Sequence, residues 1–93
     1  MVGQYVVTLG ADSSVHVGIL HCCDGTNVEL HSCSNLWRWR GAHTLHEVSL
    51  RGVDTEFSRI SEQVARLILT NVVKIIPCTP EAETNLRQVR WGT

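Results

Sequence analysis

Apolar positions recur every second residue through the first third of the chain. Residues 2–9 carry the β-formers Tyr5, Val6 and Val7 and predict a strand. Gly10-Ala11-Asp12-Ser13-Ser14 reads as a turn. Over residues 15–22, Val15, Val17, Ile19 and His21 fall on one side, with His16, Gly18 and Leu20 on the other. Asp24-Gly25 is a strong hairpin signal. Residues 26–33 then alternate again, Val28, Leu30 and Ser32 opposite Glu29, His31 and Cys33. Together these segments predict a three-stranded antiparallel meander with one covered face.

The pattern changes in the middle. Leu36-Trp37-Arg38-Trp39-Arg40 alternates strictly, which in a strand places both Trp on one face and both Arg on the other. Gly41 punctuates it. Thr44-Leu45-His46-Glu47 matches a capping box and predicts a helix over 45–51, closed by Gly52 as its C′ residue. Residues 53–62 read as a loop. Two apolar runs, 63–69 and 72–78, are split by Thr70-Asn71 and form either a hairpin or one strand broken by a bulge. Thr79-Pro80 starts a second helix, as N-cap and N1, that runs to about Leu86–Gln88, with Trp91 as a late anchor. The expected fold is α+β: one domain over 1–93, an antiparallel sheet of meander plus C-terminal strands, and two short helices.

Composition narrows the function classes. With 93 residues there is room for one compact core and little for a deep cleft. At 43 % hydrophobic and 18 % charged the chain is not disordered. Its longest apolar runs fall far short of a membrane span, and no basic-then-apolar leader opens it, so a cytoplasmic protein with no membrane partner is expected. A net charge of -1 argues against holding duplex nucleic acid by a bulk field. Of eight basic residues only Lys74 is not Arg, which fits specific anion contacts or merely a biased codon usage.

Cys22, Cys23, Cys33 and Cys78 contain no Cys-x-x-Cys pair and read as reduced thiols. His21, His31 and Cys33, joined by Cys23, can be drawn around zinc. The two closely spaced ligand pairs of a structural zinc site are absent, so no metal is expected. Cys33, His31 and Asp24 supply the residue types of a nucleophile site, but no elbow glycines or phosphate loop accompany them. Glu47, Asp54 and Glu56 fit surface charges or caps. Neither catalysis nor a cofactor is expected.

The Trp37-Arg38-Trp39-Arg40 block remains. Trp faces stack on bases and Arg forks bind phosphate, so these are parts for a nucleotide pocket. They are equally parts for a protein-interface hot spot. In the plainest reading the Trp rings are core and the Arg are solvated.

The string Asn35-Leu36-Trp37-Arg38-Trp39-Arg40-Gly41-Ala42-His43-Thr44-Leu45, with Ile75-Ile76-Pro77-Cys78-Thr79-Pro80-Glu81-Ala82, resembles a family of small phage proteins of unknown function. The pattern is similar to that of the Thoeris anti-defence proteins, sponges that sequester cyclic ADP-ribose isomers. The resemblance implies an α+β fold, a dimer or higher homo-oligomer with ligand at subunit boundaries, and capture of a cyclic nucleotide in the host cytoplasm without cleavage. On chemical grounds Trp37 and Trp39 would stack on the base, and Arg38, Arg40 and Arg51 would pair the phosphates. Thr79 would lie at a helix N-terminus that favours anions. The competing reading is an anti-CRISPR-type inhibitor that covers a host defence protein; a net charge of -1 argues against DNA mimicry as its mode, though not against other modes of blocking. A phage structural or regulatory protein without a ligand is the third.

Overall fold

A computed structural model describes residues 2–91, and of Arg90 and Trp91 the backbone alone. The elements are β1 (Tyr5–Gly10), β2 (Val15–Asp24), β3 (Asn27–Arg38), α1 (Leu45–Arg51), β4 (Arg59–Ile60), β5 (Val64–Leu69), β6 (Val72–Pro77), α2 (Pro80–Leu86) and β7 (Arg90–Trp91). β1 lies between β6 and β2, β2 pairs β3, and β3 carries both β5 and β4 along its far edge. These pairs are antiparallel; β7 adds to β4 in parallel. The α+β expectation holds at this level: a mostly antiparallel sheet with two short helices. None of the described helices is long and apolar enough to cross a membrane.

The sheet curls on itself. An unbent ten-residue strand such as β2 would separate its ends by roughly 30 Å. Yet the turn before β2 and the turn after it both reach the β5–β6 junction: Ala11 N–H donates to Asn71 O at 2.9 Å and Val72 N–H to Thr26 O at 3.0 Å. Two bulges produce the bend. On β3 the register slips between the pairs Ile19↔His31 and Val17↔Ser34, where Ser32 takes a left-handed φ of 50°. On β2 it slips between Leu20↔Leu30 and Cys22↔Glu29, at His21. Gly18 lies over the first bulge; a Cβ there would sit 3.0 Å from Cys33 Cα.

Curling gives the sheet an inside and an outside, and an apolar cluster packs on each. Val6, Leu20, Val28, Leu30, Cys33 and Val72 fill the inside. Tyr5, Val7, Val15, Val17, Leu36, Val48, Val53, Ile60, Leu86 and Val89 form a second cluster beneath the helices. β1 feeds both clusters and is buried on both faces over Tyr5 to Thr8. The single covered face expected of the meander is therefore corrected to two. Cys33, expected beside Glu29 and His31, is fully buried instead, because the Ser32 bulge shifts the alternation by one residue.

The helices follow their caps. Thr44 Oγ1 accepts from Glu47 N–H, and Thr79 Oγ1 from Ala82 N–H. Gly52 ends α1 at φ 84° and ψ -151°, a region essentially reserved for glycine, and its N–H donates to Val48 O. Just beyond, Asn85 of α2 grips the chain, its side chain donating to Val53 O and accepting from Val53 N–H.

Three other expectations are revised. β3 absorbs the Leu36–Arg38 segment rather than leaving it a separate strand. The 53–62 loop contains β4, two residues long, recruited by β3. The runs at 64–69 and 72–77 do not pair as a hairpin: β5 joins β3, β6 joins β1, and Asn71 at φ 58° turns the chain between them. Trp91, expected as an anchor, contributes backbone pairing in β7, and its side chain lies outside the described residues.

One buried group is out of balance. Thr8 is 1 % exposed and its Oγ1 has no hydrogen-bond partner among the described residues. Thr8→Val removes that buried hydroxyl and suits a strand, so unfolding in urea should show a gain of about 1 kcal/mol. An equal or lower stability would mean that the hydroxyl is satisfied in solution.

Candidate functional site

The Trp–Arg block sits where β3 leaves the sheet. The register slips between Leu36↔Ile60 and Arg38↔Arg59, so a bulge interrupts the strict alternation. Leu36 is buried and Trp39 packs against the same cluster, whereas Trp37 is exposed. The two Trp thus separate, contrary to the expectation of a shared face, because the bulge resets the phase between them. Arg38 and Arg40 are both exposed.

The loop expected to be featureless completes this surface. Arg40 N–H donates to Ser58 Oγ, and Arg40 O accepts from Asp54 N–H. This strapping sets the Arg40 guanidinium 6.0 Å from the Phe57 ring centroid. Trp37 and Phe57 are each 49 % exposed. Arg38 stands directly opposite Arg59, whose guanidinium donates to the carbonyls of Glu56 and Ser58. Among the described residues no carboxylate pairs with Arg38, Arg40 or Arg59. Phe57 and Arg59 were not among the residues expected from sequence. The available signal was the chain's one Phe standing in a polar segment.

Arg51 and Thr79 have other engagements. Arg51 pairs with Glu47 one turn back, at 3.5 Å. The Thr79 hydroxyl accepts its cap bond and donates to Leu50 O at 2.7 Å, so it serves as the joint between α1 and α2. Its helix has only seven residues. The structure therefore gathers Trp37, Arg38 and Arg40 with Phe57 and Arg59, leaves Trp39 half inside, and ties up the remaining two.

Among the described residues, three of the best-formed concavities lie elsewhere, and none of the three is lined by these residues. One of about 450 Å³ lies between the 10–14 turn and the β5–β6 junction, lined by Asp12, His16, Asn35 and Asn71 among others. Hydrogen bonds from Ser14 hold the Asp12 carboxyl below the usual range, and burial lowers His16 against the pull of Asp12. This cleft presents a carboxylate and no Arg or Lys, so it does not suit phosphate. A second, about 160 Å³ beside Tyr5 and Arg87, is too small for a nucleotide. Its Arg87 is committed to Glu83 at 3.0 Å and to the Tyr5 ring face. The third, about 300 Å³, carries Glu83.

A family model described as a domain of unknown function (DUF6948) matches residues 3–86. The chain belongs to the DUF6948 family. No curated protein matches it. Among solved structures, the DUF6948 chain is similar to a heptameric archaeal Sm protein, with a TM-score of 0.56 and 18 % identity over 84 % of this chain and 90 % of that one. At that identity the likeness is one of fold, and it agrees with the curled antiparallel sheet described above.

The cysteines divide cleanly. Burial pushes the thiols of Cys33 and Cys78 up to about 12, whereas Cys22 and Cys23 are exposed. Iodoacetamide at pH 8 should add rapidly to two thiols of the folded chain and to all four after denaturation, read by intact mass. Rapid modification of a third thiol without denaturant would show that Cys33 or Cys78 is reachable.

Proposed function

We propose that this protein is a non-catalytic binding protein that holds a phosphate-bearing cyclic nucleotide at the boundaries of a homo-oligomer and withdraws it without cleavage. The observation that carries this reading is the surface at the end of β3. Two exposed rings, Trp37 and Phe57, flank Arg38, Arg40 and Arg59, which have no carboxylate partner among the described residues. Like charges placed directly across a sheet repel, and a phosphate between them relieves that repulsion with charge-assisted bonds. The rings supply stacking faces for a base. The raised thiols of Cys33 and Cys78 speak against either of those two as a thiolate nucleophile. The motif resemblance to anti-defence sponges supplies the setting, a phage protein acting in the host cytoplasm.

An oligomer supplies the missing walls. β5 and β6 each pair on one edge alone among the described strands. They present the exposed apolar side chains Val64, Ile68 and Val73. Adding β5 of one copy to β6 of the next is a head-to-tail contact that can close a ring. The heptameric state of the structurally similar archaeal protein supports this mode. Light scattering at micromolar concentration should give a multiple of the chain mass, and Ile68→Lys with Val73→Lys should reduce it. A clean monomer of the parent chain would remove the boundary site.

Calorimetry with cyclic ADP-ribose isomers and cyclic oligonucleotides tests the ligand. Arg38→Ala and Arg40→Ala should each weaken binding about ten- to a hundredfold, the loss expected for a charge-assisted phosphate contact. Both should keep the parent's thermal midpoint, since their side chains are exposed. The ligand should return intact after heat denaturation. Binding that survives both substitutions moves the site off this surface. A parent that binds no nucleotide but binds a purified host defence effector would favour the inhibitor reading, for which exposed Trp37, Leu50 and Phe57 are suitable anchors.

A further inference from the structure

The bulge in β2 assembles a donor cluster that the sequence spacing does not announce. Because Leu20 pairs Leu30 while Cys22 pairs Glu29, His21 and Cys22 together face one residue of β3. The buried stretch of β2 ends at Leu20, and the four residues from His21 to Asp24 are all exposed. His31, two residues from Glu29, shares its face. The result is four metal-ligating side chains on one outer patch near the β2–β3 hairpin.

The contacts are specific. The His21 and His31 rings stack with centroids 4.1 Å apart and planes 12° from parallel. His31 Nε2 lies 2.7 Å from Glu29 Oε2. Ligand atoms of His21, Glu29 and His31 all fall within 4.8 Å of one another. Cys22 Sγ is 3.9 Å from Glu29 Oε1. Arg66 of β5, the cross-strand partner of His31, donates to both Glu29 oxygens, at 2.9 and 3.4 Å, and fixes the carboxylate. Hydrogen bonds from His31 and then Arg66 hold the Glu29 carboxyl below the usual range, so it stays ionised.

We infer that His21, Cys22, Glu29 and His31 bind one divalent transition-metal ion of the zinc class. Two imidazoles, a thiolate and a carboxylate are the ligand types zinc takes in tetrahedral sites. Around such an ion neighbouring donors lie about 3.3–3.7 Å apart, given ligand bonds of roughly 2.0–2.3 Å. Convergence on one ion requires the His21 ring to tilt off its stack, the 2.7 Å contact between His31 and Glu29 to open, and the Cys22 thiol, which lies against Glu29 and outside the 4.8 Å group, to turn in toward the imidazoles. Arg66 keeps its hold on Glu29 and orients the ligand, the role outer partners play in established metal sites. The set differs from the His21, His31 and Cys33 grouping suggested by spacing. Cys33 is turned into the core, and Glu29 and Cys22 take its place. The site lies further back along β3 than Trp37 and does not depend on the nucleotide reading.

Cobalt titration of the untagged, chelator-stripped chain tests this, since cobalt reports both geometry and thiolate ligation. One ion per chain should bind at micromolar concentration, with tetrahedral visible bands and a thiolate-to-metal band in the near ultraviolet, all displaced by zinc. His21→Ala and His31→Ala should each weaken binding at least tenfold. Cys22→Ser should abolish the near-ultraviolet band while cobalt still binds more weakly, and Cys23→Ser should leave the spectrum unchanged. Circular dichroism of each variant confirms that it is folded. The assignment is overturned if no cobalt binds below 1 mM. It is equally overturned if either His variant binds as the parent does, or if the thiolate band follows Cys23 rather than Cys22.

Discussion

The close approach of Gly18 to the backbone of β3 is the constraint on which the rest of the molecule hangs. A Cβ at residue 18 would meet Cys33 Cα at 3.0 Å, Cys33 Cβ at 3.1 Å and His31 O at 3.1 Å. With no Cβ there, β3 accommodates Ser32 as an extra, left-handed residue and folds over β2. A flat pairing of ten- and twelve-residue strands would leave both faces of a small sheet to solvent. The bend instead carries both ends of β2 to Asn71 and Val72, so that consecutive strands β5 and β6 occupy opposite edges.

Curling divides the core. The apolar interior of the sheet and the cluster under the helices share β1, whose Val6 faces one and whose Tyr5 and Val7 face the other. Neither cluster is large, and a chain of this length has a small stability margin. Polar joints therefore matter disproportionately. Asn85 satisfies both backbone groups of Val53, and Thr79 links α2 to the last turn of α1. Gly52 is demanded twice over, by its backbone conformation and by the Asn85 side chain packed against the position where a Cβ would project.

The same device that shapes the core arranges the surface chemistry. Each bulge moves the following side chains to the other face. At Ser32 this buries Cys33; at His21 it sets an imidazole and a thiol together above Glu29; at Trp37 it frees one indole while Trp39 stays against the core. The arginine surface and the donor cluster both lie where a strand departs from regular pairing. Bulges are over-represented beside functional sites for this reason.

Local signals were enough for the pieces. The capping box at Thr44 and Glu47, the Thr79-Pro80 start, Gly52 and the Asp24-Gly25 hairpin are short-range chemistry, and the structure places α1, α2 and the β2–β3 turn where they point. Trp37, Arg38 and Arg40 were legible as a surface candidate because their types are unusual together in a near-neutral chain. Phe57, Arg59, Glu29 and Cys22 were not, since their neighbours are supplied by strand pairing across distant segments. The strict alternation of Trp37 and Trp39 and of His31 and Cys33 misled in the same way. Period-two reading assumes unbroken pairing, and a bulge has no signature in the apolar pattern. Which edge β5 and β6 would join was likewise beyond it, because that choice is made by the curl of the whole sheet, not by any property of the two strands themselves.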